Sequence, residues 1–122
     1  MRSREQLIQD TEPFPDSLVS QLPKSTKRPA LSYVPWYQYA QRLLLHHPEH
    51  KWRITSLVFG GNRWAVSGQL DIGDETYGGA GIDEDADKAE SQAYKRACAR
   101  AGIGLHLYGD YWLHGRLEQG DE

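Results

Sequence analysis

Residues 83–102 read DEDADKAESQAYKRACARAG, and this stretch decides the fold. At 100° per residue, Ala86, Glu90, Ala93, Ala97 and Ala101 fall on one side, flanked by Ala89, Tyr94 and Cys98. Lys88, Gln92, Lys95 and Arg96 fall on the opposite side, with Arg100 at its border. The spacing predicts a helix over 83–101. Asp83 is its expected N-cap, and Glu84, Asp85 and Asp87 load the first turn with the sign the helix dipole favours. Gly102, assisted by Gly104, stops it. A face built of alanine lets such a helix lie close against a sheet.

That sheet is legible immediately upstream. Trp52, Ile54 and Ser56 alternate with Arg53, Thr55 and Leu57 up to Phe59, and Gly60-Gly61-Asn62 supplies residues that accept positive φ in a hairpin turn. Trp64, Val66, Gly68, Leu70 and Ile72 form an inward set against Arg63, Ala65, Ser67, Gln69 and Asp71. Gly73-Asp74 makes a second turn, and 75–82 is a third strand. Its Gly78, Gly79 and Gly81 mark either a bulge or the close approach of another backbone. Further upstream, Pro35 suits a first helical turn. Trp36, Tyr39, Ala40, Leu43, Leu44 and His47 then repeat at helical spacing until Pro48, giving a helix over 35–46.

The fold class is therefore α+β: an N-terminal helix, a three-stranded antiparallel β-meander, then a long helix packed on the sheet, a β-β-β-α core. Residues 31–117 are expected to form one domain. Residues 1–30, with Pro13, Pro15, Pro23 and Pro29, read as an extended or partly ordered arm in which Leu18, Val19 and Leu22 make one helical turn. Lys24, Lys27 and Arg28 form a small basic cluster there, read most simply as a solvated linker. The apolar, aromatic stretch 105–117 is expected to pack on the domain or, through Trp112 and Tyr111, on a neighbouring subunit. Residues 118–122 are an acidic tail.

Composition narrows the function classes. At 39% apolar and 25% charged, the 122 residues suit a globular domain rather than a disordered chain. No apolar run approaches the roughly 20 residues that span a bilayer, so no membrane partner is expected. MRSREQLIQD has no apolar segment of the kind a secretory signal carries, and the single cysteine, Cys98, fits a reducing compartment. A cytoplasmic setting follows as the expectation. The net charge of −3 looks unfavourable for nucleic acid, but much of the excess acid sits at the C-terminal end, where Asp110, Glu118, Asp121 and Glu122 face only Arg116. A local positive patch decides that question, not the total.

Chemical motifs are scarce. Gly78-Gly79-Ala80-Gly81 lacks the GK[ST] ending of a phosphate loop, so no nucleotide cofactor is expected. His46, His47 and His50 surround a helix end, while His106 and His114 lie far along the chain. Without a second cysteine or an HExxH pair, solvated or capping histidines are the simpler reading than a metal site. Cys98 falls on a packed helix edge as an inert thiol, and no nucleophile–base set marks catalytic residues. What remains is basic and aromatic. The dipole and an i, i+4 pairing of Glu84 with Lys88 account for the helix cations without any ligand. Phosphate contact by Lys95, Arg96 and Arg100 is the other reading, since single-strand binders join such cations to aromatic platforms. Trp36, Tyr37, Tyr77 and Trp112 are available, against core packing for Trp36 and an oligomer contact for Trp112.

Leu31-Ser32-Tyr33-Val34-Pro35-Trp36, the amphipathic helix, Trp52 opening a strand, the meander and AESQAYKRACARAGIGLHLY together resemble the core of the Rad-fifty-two family of single-strand annealing proteins. Ala89-Glu90, Lys95-Arg96-Ala97 and Gly102 match the family helix, and Pro13-Phe14-Pro15 resembles bacterial and phage relatives. The resemblance implies a minimal annealing protein that binds single-stranded DNA as a homo-oligomeric ring. It implies a backbone groove lined by Lys95 and Arg96. The candidate DNA contacts are Lys95, Arg96, Arg100, Lys88, Arg63 and Tyr37. Two departures stand out: Ala99 replaces a second family arginine, and Gln38 a basic residue. An oligomeric adaptor of the same fold and a double-stranded-RNA-type module, which shares the β-β-β-α order, are the alternative readings.

Overall fold

The computed structural model describes residues 1–23, 31–108, 112–113 and 116–117. Two long hairpin-linked strands, β3 (Lys51–Gly60) and β4 (Arg63–Ile72), and a third, β5 (Glu75–Asp83), form an antiparallel sheet in the order β3-β4-β5. Gly61 and Asn62, both near φ +60°, make the tight turn that the Gly-Gly-Asn signal predicts. Preceding the sheet are α1 (Arg4–Thr11), the antiparallel pair β1 (Ser20–Leu22) and β2 (Leu31–Tyr33), and α2 (Trp36–His46). The long helix α3 (Ala86–Arg100) follows and packs on β5 and β4. A last short pair, β6 (Trp112–Leu113) and β7 (Arg116–Leu117), closes the described chain.

The alanine face works as its composition suggests. Ala89, Ala93, Ala97 and Ala101 are buried together with Tyr94 and Cys98. The open question about the β5 glycines is answered by close approach. A β-carbon on Gly79 would collide with the Ala93 carbonyl, and one on Gly81 with the Ala89 carbonyl. The bulge lies elsewhere, on β3 between Ile54 and Ser56. Gly68 on β4 serves a similar purpose, because the Trp52 ring lies across it. Leu43, Leu70, Val34, Tyr39 and Ile103 complete the main core. Burial raises the Cys98 thiol to about 12, which keeps it inert.

Several expectations are corrected. The helix begins after Asp85, not Asp83: the Asp85 carboxylate accepts from the Asp87 and Lys88 N–H groups, whereas Asp83 pairs with Trp64 as the last residue of β5. At the other end, the Gly102 N–H bonds the Ala99 carbonyl and the Ile103 N–H the Cys98 carbonyl, with Gly102 at φ +101°. This is a Schellman stop. Of the alternating residues of β3 only Trp52 is partly covered, because α3 lies over β5 and β4; Ile54 and Leu57 stay exposed. Leu18 ends a short 3-10 turn (Asp16–Leu18), and Leu22 lies on β1 rather than in the same turn.

The larger difference is α1, which the proline-rich reading missed. Ser3 and Gln6 form a reciprocal capping box at its start. Its Asp10 carboxylate is fully buried and accepts from Arg2 Nη1 at 3.0 Å, His46 Nδ1 at 2.9 Å and His47 Nε2 at 2.7 Å. The Arg2 guanidinium in turn meets Glu75 Oε1 at 3.0 Å, and the Tyr77 hydroxyl donates to the same oxygen at 2.6 Å. His47, expected to be solvated or capping, ends α2 as its C-cap while its ring is buried in this cluster. The cluster pins the N-terminal segment to both α2 and β5.

This arrangement sets an acid limit. Burial alone would raise the Asp10 carboxyl, but bonds from His46, His47 and Arg2 outweigh it and hold it below the usual range. Bonding to Arg2 lowers Glu75 from 4.5 to about 2. A carboxylate whose folded pKa is depressed contributes stability above its unfolded pKa and loses it as pH falls through the folded value. The melting temperature should therefore drop as pH falls from 4.5 towards 2, and Arg2→Ala should flatten that slope. An unchanged slope in the variant, measured by thermal circular dichroism, would contradict the assignment.

Candidate nucleic-acid interface

The candidate cations do not converge on one surface. Lys95 leans from α3 into the junction with α2 and β2. Its ammonium stands 5.3 Å from the centre of the Tyr33 ring and 6.0 Å from that of Tyr39. Burial lowers its pKa, and no carboxylate among the described residues pairs with it. Tyr37 sits beside Trp36 at the start of α2, with ring centres 6.1 Å apart, and both residues are about half exposed. Lys95, Tyr33 and Tyr39 thus place a cation among aromatic rings.

Arg96 and Arg100 turn the other way. Arg96 Nη1 donates to the Ala80 carbonyl and Arg100 Nη1 to the Gly78 carbonyl, each at 2.7 Å. One turn earlier, Gln92 Oε1 accepts the Ile82 N–H at 3.1 Å. These are the alternate backbone groups along β5, an edge of the sheet. Gln92, Arg96 and Arg100, spaced i, i+4, i+8, therefore occupy three of the groups with which another strand would pair. Each arginine keeps further N–H donors on an exposed side chain. They are free to meet phosphate without leaving the edge.

Lys88 is exposed near the start of α3. Arg63 lies apart, paired with Gly60 at the hairpin tip, whereas Gly78, the contact of Arg100, pairs with Gln69 towards the other end of β4. Tyr111, proposed as an oligomer contact, lies outside the described residues, as do Lys24, Lys27 and Arg28; Trp112 is placed on β6. No group of three or more His, Cys, Asp or Glu side chains among the described residues could hold a metal ion, and no helix there is long and apolar enough to cross a membrane.

No family model matches the chain. Among curated proteins it is similar to the mitochondrial DNA repair RAD52-like protein 1 of Arabidopsis thaliana, 33% identical over 98 residues, which cover 65% of this chain and 53% of the relative. It is also similar to the chloroplastic DNA repair RAD52-like protein 2 of the same plant, 29% identical over 109 residues, covering 78% and 55%. These similarities support a RAD52-like family assignment. It spans about half the length of these curated relatives.

In this RAD52-like chain, the two departures from the family pattern have different settings. Ala99 is 6% exposed on the packed part of α3, so an arginine there would need the helix to sit differently. Gln38 lies half-buried on α2 in a shallow groove with Phe14, Leu18 and Arg42. Tyr33 is the contact that the residue-by-residue reading missed. Its place in the Tyr-Val start was visible, but nothing local to it shows that a lysine far along the chain packs on its ring.

Proposed function

We propose that this RAD52-like chain binds single-stranded DNA along the α2–α3 face and anneals complementary strands in DNA repair and recombination, without a chemical step. The similarity to two proteins named for DNA repair supports the broader role. The single observation that carries the finer one is Lys95, a half-buried ammonium set against Tyr33 with no carboxylate partner among the described residues. Phosphate supplies the missing anion, and Tyr37 offers a platform for bases. Exposed donors of Arg96 and Arg100 add a second positive site along the β5 edge. Lys88 and Arg63 are then outlying contacts.

Self-assembly into a ring is part of the proposal. With β5 occupied along its edge, β3 is the bare edge, and Leu57, Val58 and Phe59 on it are each more than half exposed, as is Ile82 on β5. Exposed apolar residues gathered along an open strand are features of a protein interface. Trp112 and Tyr111 are proposed to add to that contact. A cytoplasmic setting is likewise proposed, although the relatives' names assign them to organelles.

The test is a salt titration of labelled single strands by fluorescence anisotropy, with particle mass read on the same samples. Lys95→Ala should cost about tenfold in affinity and reduce the salt slope by about one, with an unchanged melting temperature. Affinity equal to the wild type would remove Lys95 from the groove. A monomeric mass at saturating strand would remove the ring. Arg96→Ala also frees the Ala80 carbonyl, so its effect combines DNA contact with loss of edge protection.

A further inference from the structure

Around the corner from Lys95, three aromatic rings enclose an open-mouthed cleft of about 550 Å³. Trp36 comes from α2, Trp52 from β3 and Tyr94 from α3; the Tyr94 ring centre lies 5.2 Å from that of Trp52 and 6.4 Å from that of Trp36, nearly perpendicular to both. Asp87, Glu90 and Ser91 line the cleft from the same stripe of α3 as Tyr94, at i, i+3, i+4 and i+7. The Trp52 indole N–H donates to Glu90 Oε2 at 3.0 Å, fixing that carboxylate on the wall. The second Glu90 oxygen, the Asp87 carboxylate and the Ser91 hydroxyl have no partner among the described residues. His50 also lines the cleft, its Nδ1 donating to the His47 carbonyl at 2.7 Å, and no lysine or arginine does.

Aromatic faces are electron-rich, and two carboxylates share the space with them. The helix dipole explains an acid at Asp87, in the first turn, but not Glu90, which lies beyond it and is half-buried. A nucleobase fits the rings poorly as an occupant, because its phosphates would be brought beside two acids with no lining lysine or arginine to offset them.

We propose that this cleft binds an arginine side chain presented by a partner protein. A planar guanidinium stacks on Trp and Tyr faces while its N–H fork reaches carboxylates, which an ammonium does less well. The cleft is larger than one guanidinium, which leaves room for the neighbouring peptide backbone. This inference stands apart from the annealing proposal, since it uses neither Lys95 nor the β5 edge.

The test is isothermal titration of the full chain with a short arginine peptide, its citrulline counterpart (same shape, no charge) and a nucleoside monophosphate. The arginine peptide should bind, and citrulline should bind at least about tenfold more weakly. The double variant Asp87→Asn with Glu90→Gln keeps side-chain size and the Trp52 acceptor, and should lose about tenfold in arginine-peptide affinity. If that variant fails to fold, the arginine–citrulline comparison on the wild type still decides. Equal binding of citrulline, absence of binding by the arginine peptide, or displacement of that peptide by the nucleotide would each overturn the proposal. So would a change in oligomer mass in the double variant without peptide binding to the wild type, which would assign the cleft to a second copy of the chain.

Discussion

Asp10→Ala is expected to lower the free energy of unfolding by about 3–5 kcal/mol, the cost of breaking a buried ion pair from one side. Both Asp10 oxygens are engaged, and the residue has no solvent exposure to compensate for a lost partner. Its removal leaves the Arg2 guanidinium, with a side chain only 4% exposed, facing two imidazoles without their shared acceptor. A domain of this size has a total stability of roughly 5–15 kcal/mol, so such a loss is a large share of it. Because the cluster ties α1 to α2 and β5, the N-terminal segment should also become a protease-sensitive site. Urea unfolding and limited proteolysis measure the two effects. A stability loss below about 1 kcal/mol would mean that the charges rearrange to water rather than hold the segment.

Gly79→Val should destabilise by roughly 3 kcal/mol, the upper part of the range for overpacking. What stands against Gly79 is backbone: the Ala93 carbonyl and the Ala97 N–H, the latter 2.7 Å from an added β-carbon. No rotamer change relieves a collision with helix backbone, so α3 must lift from the sheet. The neighbouring Gly78 is the internal control. A β-carbon there meets only the Gly68 carbonyl oxygen at 3.8 Å, an ordinary contact, so Gly78→Ala should cost far less. Thermal melts of the two variants decide, and equal shifts would refute close helix–sheet contact as the reason for the glycines. A lifted α3 would also separate Lys95 from Tyr33 and couple the same substitution to DNA binding, under the proposed function.

The elements that form by local rules were legible. Alanine periodicity on α3, the Gly-Gly-Asn turn and the alternation along β4 each express an interaction between residues a few positions apart. α1 is legible too, since Ser3 and Gln6 spell a capping box, although the prolines downstream favour an extended arm. Boundaries shifted where a local and a non-local partner competed. Asp83 is a good N-cap by type, yet the ladder with Trp64 claims it and Asp85 takes the role.

The helix of residues 83–102 shows where the division falls. The sequence by itself determined that a long alanine-faced helix follows a glycine-bearing strand, because helical period and side-chain size are properties of the segment alone. Only the tertiary structure decided what its polar residues do. A helical wheel gives the direction in which Lys95, Arg96, Arg100 and Glu90 leave the axis, but not which neighbour lies there. Lys95 meets Tyr33, the two arginines meet β5 carbonyls, and Glu90 meets Trp52. Each of these contacts joins segments separated along the chain, and a long flexible side chain takes its final direction from the hydrogen bonds and rings that folding brings within its reach.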